Sequence, residues 1–303
     1  MPLKTTSQAS SVKTAYVALF LVQLIFGFNY AASRVILEQY PPVFWGGIRM
    51  VLAGLIMIGL SFFFVSKPDR ILDRNFLKKT FFYGLFGMAL NNAFFMLGLF
   101  KTTTANAAIL NTMTPIFTLL FAIMARQELL TLRRGFGFLV AILGAVVIRR
   151  FEDFQLSSAT FQGDVYTVLN CVALALFFII SRDFLRKTNP FWATGWMFLF
   201  GGIVLLAVTP GDWHGFMPKV VNTTFVVAVL YNVIAASIIT YFLNSWSLTK
   251  VNASSVALFI YLQPVVAVLN AYLVFHEEIT ARMMMAMFLI FFGVGIAIMK
   301  KKT

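Results

Sequence analysis

Residues 101–131 read KTTTANAAILNTMTPIFTLLFAIMARQELLT, and residues 250–280 read KVNASSVALFIYLQPVVAVLNAYLVFHEEIT. An offset of 149 residues aligns the two without a gap. From 101 to 144, nine of 44 positions are identical: Lys101 with Lys250, Ala108 with Ala257, Pro115 with Pro264, Leu120 with Leu269, Ala122 with Ala271, Glu128 with Glu277, Thr131 with Thr280, Arg133 with Arg282 and Gly144 with Gly293. Alanine and leucine matches carry little weight in apolar segments, but Lys, Pro, Glu, Thr, Arg and Gly in one register are hard to obtain by chance. An offset of 148 extends the likeness upstream, pairing Ser33 with Ser181, Arg34 with Arg182, Leu37 with Leu185, Pro42 with Pro190 and Gly54 with Gly202. The chain therefore reads as two related halves, 1–150 and 151–303.

What the halves are made of follows from composition. Of the 303 residues, 60% are hydrophobic and 12% charged, and the mean hydropathy is +0.86, far from the range of a soluble domain. A bilayer core about 30 Å thick takes roughly 20 apolar helical residues. Ten runs qualify, at about 14–33, 43–65, 80–100, 105–125, 134–149, 163–181, 190–208, 224–246, 254–275 and 279–299. The longest connections, 66–79, 150–162 and 209–223, are too short for a separate domain. Continuous apolar runs without alternating polarity indicate helices, not the strands of a barrel. The expected fold is an all-α membrane protein of ten transmembrane helices, five in each half. Five is odd, so the second half enters the membrane from the opposite side, which makes the repeat inverted. Secondary transporters are built this way, because two similar halves of opposite orientation can exchange roles as a site opens to either side.

The first apolar run follows Lys4 and Lys13 and ends near the small residues 31–33, as a signal peptide would, but it is long for that purpose and nine more spans follow. The single Cys171 lies inside a span, where it reads as a small core residue. A formal charge of +13 does not indicate nucleic acid, since the basic residues are spread over many short loops. With the N-terminus inside, 17 Lys and Arg fall on the cytoplasmic side and 6 on the other, leaving Arg49 within a span. By the positive-inside rule both termini are cytoplasmic and the number of spans is even.

The pattern resembles the EamA-like ten-helix branch of the drug/metabolite transporter superfamily. The residues that carry it are Pro115 followed by Glu128, Thr131 and Gly144, then Pro264 followed by Glu277, Thr280 and Gly293, with Pro42 and Arg49 opening the second span. The resemblance implies two five-helix bundles around a central cavity, cytoplasmic termini, residence in a bacterial cytoplasmic (inner) membrane, and movement of small metabolites, often amino acids, usually outward. It does not identify the substrate.

Polar groups inside spans mark where a cavity would be. Proline removes a backbone donor and bends a helix, and lipid cannot satisfy the carbonyl it frees. Pro115 sits near mid-span with Asn111 and Thr118 on roughly the same face and Thr114 beside it; Tyr261, Gln263 and Pro264 form the matching break. These breaks either line a cavity or are kinks filled by neighbouring helices. Asn29 and Tyr30 lie late in the first span, Asn91 and Asn92 in the third, Tyr166 and Asn170 in the sixth, Tyr241 and Asn244 in the eighth. Each serves either as substrate contact or as interhelical glue worth on the order of 1 kcal/mol. Arg49 costs on the order of 3 kcal/mol to place mid-membrane, and either meets an anionic substrate group or fixes its helix structurally. Trp45, Trp192, Trp196 and Trp246 fall near span ends, as an aromatic belt or, for Trp192 and Trp196, as substrate-facing rings. Spans five and ten carry Gly135, Gly144, Ala286, Gly293 and Gly295 but few polar groups, which suits close packing and an oligomer contact.

All eleven acidic residues fall in loops or at span ends, which favours a facilitator or exchanger over tight ion coupling, with Glu128 and Glu277 as helix-end anchors. His214 and His276 are in loops, and HExxH, GxSxG and intramembrane aspartate pairs are lacking, so an intramembrane enzyme lacks its parts. A channel or receptor-like protein is the alternative, against which the inverted repeat speaks. The partners expected are a small-molecule substrate and the bilayer, with no nucleic acid, metal or cofactor, in a monomer or homodimer.

Overall fold

The structure, a computed structural model, describes residues 3–127, 131–147, 159–215, 218, 220–276 and 278–298. Glu128, Arg149, Arg150, Lys219, Glu277 and Lys300 to Lys302 lie outside the described residues. In the first half, α1 spans Leu3–Leu37 and α2 Pro42–Phe64. Helix α3, Arg74–Lys101, contains a π-helical segment at Leu85–Leu90. The next pass is broken into α4, Thr104–Asn111, and α5, Thr114–Met124; α6, Leu132–Val147, closes the half. The second half repeats the order: α7 at Ala159–Lys187, α8 at Pro190–Ala207, α9 at Thr223–Lys250 with a π segment at Tyr231–Ile239, α10 at Ala253–Leu258, α11 at Gln263–Phe275 and α12 at Ala281–Ile298. Among the described residues, eight helical stretches are long and apolar enough to cross a membrane. The 16-residue α6 and the helix α12 take the places of the fifth and tenth predicted spans.

The repeat is written in the helix starts. Pro42 and Pro190 open α2 and α8 in the first turn, where a missing N–H costs nothing. Asp73 caps α3 by accepting from Phe76 N, and its counterpart 149 residues on, Asn222, caps α9 by accepting from Phe225 N. Pro115 and Pro264 likewise fall in the first turns of α5 and α11. The mid-span prolines therefore begin second half-helices. The carbonyl freed by Pro115, Asn111 O, accepts from the Cys171 thiol at 3.7 Å, and that freed by Pro264, Ile260 O, accepts from Gln263 N at the end of a 3-10 turn over Phe259–Leu262.

The two halves pack closely into one another. Their most extensive contacts run between halves: α2 against α8, α6 against α12, α3 against α7, α1 against α9 and α11. The α2–α8 pair meets backbone to backbone. A Cβ on Gly54 would lie 2.7 Å from Leu199 N, and one on its counterpart Gly202 would lie 2.7 Å from Val51 N. Small residues let backbones meet where lipid supplies no hydrophobic drive for association. The small residues of the fifth and tenth spans split: Gly144, Ala286 and Gly293 are buried, whereas Gly135 and Gly295 face open space.

A side chain at Gly54 meets backbone that cannot move aside. We expect Gly54→Val to cost about 2–3 kcal/mol, as overpacking does, lowering Tm in detergent by several degrees. Gly59→Ala, on the same helix with nothing within 4 Å of its Cβ, leaves Tm unchanged.

Candidate functional site

Where α1, α2, α3, α4, α7, α9 and α11 meet, they enclose a cavity with about 40 Å³ of water-accessible space, room for about three waters at roughly 10–15 Å³ each. Its polar lining is Asn29, Tyr30, Arg49, Asn91, Asn92, Asn111, Asn170, Tyr241 and Gln263, and its apolar lining is Phe26, Phe95 and Leu174. Those nine polar residues were all expected from the sequence. Two features of the helices aim them. The breaks at α4–α5 and α10–α11 present Asn111 and Gln263. The π segment of α3 directly precedes Asn91 and Asn92, and π-bulges are frequent where side chains must be re-aimed at a functional site.

The amides satisfy one another in a chain that crosses six helices. Tyr241 hydroxyl donates to Asn91 Oδ1 at 2.9 Å, and Asn91 Nδ2 donates to Asn170 Oδ1. Asn170 Nδ2 donates to Asn111 Oδ1 at 2.9 Å, and Asn111 Nδ2 to Gln263 Oε1 at 2.9 Å. Gln263 Nε2 continues to Gln23 Oε1 at 2.6 Å, and Tyr30 hydroxyl also donates to Gln263 Oε1, at 3.3 Å. In a dry interior each such group costs about 1–3 kcal/mol if left unmade. Mutual pairing is what holds the cavity small.

A second cluster surrounds Asn232, which is fully buried. Its Oδ1 accepts from Trp45 Nε1 and from Arg49 Nη1, both at 3.0 Å. Its Nδ2 donates to Asn29 Oδ1 at 2.7 Å and Ser33 Oγ at 2.9 Å. Arg49 is only 2% exposed, and its Nε has no partner; neither has the buried Asn92 Oδ1. The polarity is one-sided. At the repeat offsets the counterparts of Asn29, Trp45, Arg49 and Asn232 are Phe177, Ala193, Met197 and Tyr83.

Apolar clusters pack on both sides of this polar centre. On the side from which α1 starts, Leu19, Phe76, Phe184, Trp192, Leu248 and Val256 pack in one core. On the opposite side Ile36, Tyr40, Phe44, Trp45, Leu99 and Phe225 pack in another.

Six expected residues lie off the cavity. Thr114 and Pro115 are buried one step behind it, Thr114 donating to Asn111 Oδ1 at 3.4 Å. Tyr166 is half-buried and stacks on Phe94 at 6.2 Å. Asn244 is buried away from the cavity with its Oδ1 unpartnered. Tyr261 packs against Phe291 toward α12, its hydroxyl without a partner, and Pro264 only starts α11. Tyr261 is two residues from Gln263 and so points to another face of its helix, whereas Tyr166 shares a face with Asn170 but turns its ring onto Phe94; in both cases the ring goes where apolar packing is available. The tryptophans need correcting too, since Trp45 and Trp192 are 3% exposed, bonded to Asn232 and to Ile71 O, not in an interfacial belt.

Asn232, Gln23 and the Trp45 indole were missed. At about 3.6 residues per turn, the nine residues from Asn232 to Tyr241 place the two on opposite faces. The π segment Tyr231–Ile239 changes that phase and turns both inward. A lone asparagine inside the apolar run YNVIAASII was the available signal.

This arrangement, paired broken helices around a mid-membrane polar cavity in a two-repeat scaffold, defines a membrane transporter. The EamA-like transporter family model matches residues 13–150 and again 161–299, and the chain belongs to that family. The double match fits an inverted repeat. Among its relatives are a protein of Archaeoglobus fulgidus named an uncharacterized transporter, 23% identical over 286 residues, covering 94% of this chain and 99% of that protein. A WAT1-related protein of Arabidopsis thaliana is 25% identical over 87% of this chain and 76% of its own length. The uncharacterized transporter YoaV of Bacillus subtilis is 19% identical over 90% and 92%. A crystal structure matches with TM-score 0.70 at 17% identity, over 94% of this chain and 96% of that one, a likeness of fold.

Removing the acceptor that Arg49 and Trp45 share leaves a buried cation alone. We expect Asn232→Leu to cost about 3–5 kcal/mol and to lower Tm strongly in detergent. Asn244→Leu, which removes an already unpartnered oxygen, leaves Tm within a degree or two, on the order of the scatter of surface substitutions.

Proposed function

We propose that the chain carries small polar metabolites, amino acids or related compounds, across the membrane by alternating access, and works as an exporter or facilitator without acting as an enzyme. The observation that supports this reading best is the cavity itself: amides from both halves converge at the paired helix breaks, with apolar cores packed on either side. A small polar cavity between two related halves, with no continuous polar path leading from it among the apolar cores of the described residues, suits a carrier better than a channel. The amide chain suits a polar cargo, because each intramolecular bond is one a substrate can replace at small net cost. Breaks and π segments at matching positions of the two halves supply equivalent hinges for opening either end.

No carboxylate lines the cavity among the described residues, which supports facilitated movement or exchange over proton coupling there. Outward movement and a cytoplasmic location of both termini are part of the proposal, resting on the charge distribution and the family.

Counterflow of a panel of labelled amino acids and other metabolites in proteoliposomes tests the reading. We expect saturable exchange for at least one compound class, lowered at least tenfold by Asn111→Leu or Gln263→Leu with folded protein retained, and unchanged by Tyr166→Leu. Unsaturable, water-like conductance contradicts it, and normal kinetics in both cavity variants remove those residues from the site.

A further inference from the structure

The unsatisfied groups of the cavity narrow the substrate class, a step that rests on reading the cavity as the transport site. Arg49 is buried, faces the cavity and has a free Nε. Its Nη1 and the Trp45 indole N–H both converge on a single neutral oxygen, Asn232 Oδ1, at 3.0 Å. Two donors, one of them a full cation, aimed at one amide oxygen make a place that a charged acceptor fills better, since hydrogen bonds to an ionised partner are roughly twice as strong. The lining offers that cation no carboxylate among the described residues. The scaffold does not require a cation either, because the counterpart position in the second half is Met197.

Beside it lies a complementary group. Asn92 Oδ1 is a buried acceptor without a partner. It sits against α2 one turn from Arg49, where a Cβ on Gly46 would come within 2.8 Å of it. A free donor cation and a free acceptor on one wall match a carboxylate and an N–H held close together in one molecule. Phe26, Phe95 and Leu174 supply apolar wall for the remainder.

We infer that Arg49 and Trp45 form a carboxylate subsite, in which the substrate carboxylate takes the place of the Asn232 amide oxygen while its neighbouring ammonium or amide N–H meets Asn92 Oδ1. The substrate class is carboxylates with an adjacent N–H and an apolar body, neutral amino acids foremost; cargo with net positive charge is repelled by Arg49. Binding also frees Asn232, which sits in the π segment of α9 and bridges to Asn29 and Ser33 of α1. Occupancy of the subsite thereby loosens α9 from α2 at the segment best able to bend.

The test uses the full chain in proteoliposomes and a counterflow panel of neutral amino acids, each paired with its amide and its decarboxylated amine, together with nucleosides and sugars. We expect exchange of free acids, with the amide and amine partners at least tenfold weaker. Arg49→Gln is expected to raise KM for the acid at least tenfold. Asn232→Asp keeps the size and Arg49 and supplies a permanent anion to the subsite, so it is expected to do the same even if Arg49→Gln does not fold. Exchange of amines, amides, nucleosides or sugars in preference to acids, or an unchanged KM in Asn232→Asp, overturns the subsite and leaves the transport reading standing. No exchange of any compound overturns both.

Discussion

The arrangement of the whole molecule turns on a constraint set by lipid: a buried polar group has no water to fall back on, so it must be bonded inside the protein or held for something that will bond it. In this chain most of the buried amides obey the first alternative, with Asn92, Asn244 and Asn270 each leaving one atom unpartnered. Tyr241, Asn91, Asn170, Asn111, Gln263 and Gln23 pass hydrogen bonds from helix to helix and pin both halves to one another. Arg49 obeys it only in part, bonding a neutral amide and leaving Nε empty. A cation kept at 2% exposure on such terms is expensive in stability and worthwhile in a carrier.

Around that centre the scaffold is pseudo-symmetric and its chemistry is not. Caps, helix starts, breaks, π segments and the Gly54–Gly202 pair recur at offsets of 148 or 149 residues, so the two halves have the same places to bend. The Asn29, Trp45, Arg49 and Asn232 cluster has no equivalent amide or charged group, since Phe177, Ala193, Met197 and Tyr83 stand at its counterpart positions. Equal hinges let either end open, and an unequal site gives the cargo one orientation. Interleaving of the halves, with α2 on α8 and α6 on α12, means that moving one half re-packs the walls of the cavity directly.

Most of the backbone was legible in the sequence because its two signals, apolar length and the repeated prolines, are local. Most predicted apolar runs fall within observed helices to within a few residues, with α1 and α3 starting earlier and α7 and α9 ending later because polar and charged turns continue those helices beyond the apolar run. The cavity was legible where a polar residue stands next to a break, as with Asn111 and Gln263. It was illegible where helical phase is altered, as with Asn232, and where an aromatic residue near a span end turned inward, as with Trp45. Tyr166 and Tyr261 failed for the converse reason, since polarity marks a residue without fixing which way its ring points.

The most direct measurement of the central claim is a high-resolution structure of the protein in lipid with an exchanged amino acid bound at saturation. The account predicts the carboxylate on Arg49 and Trp45, with Asn232 turned away and the cavity widened. A substrate seated elsewhere, with the Arg49–Asn232 bond intact, would contradict it.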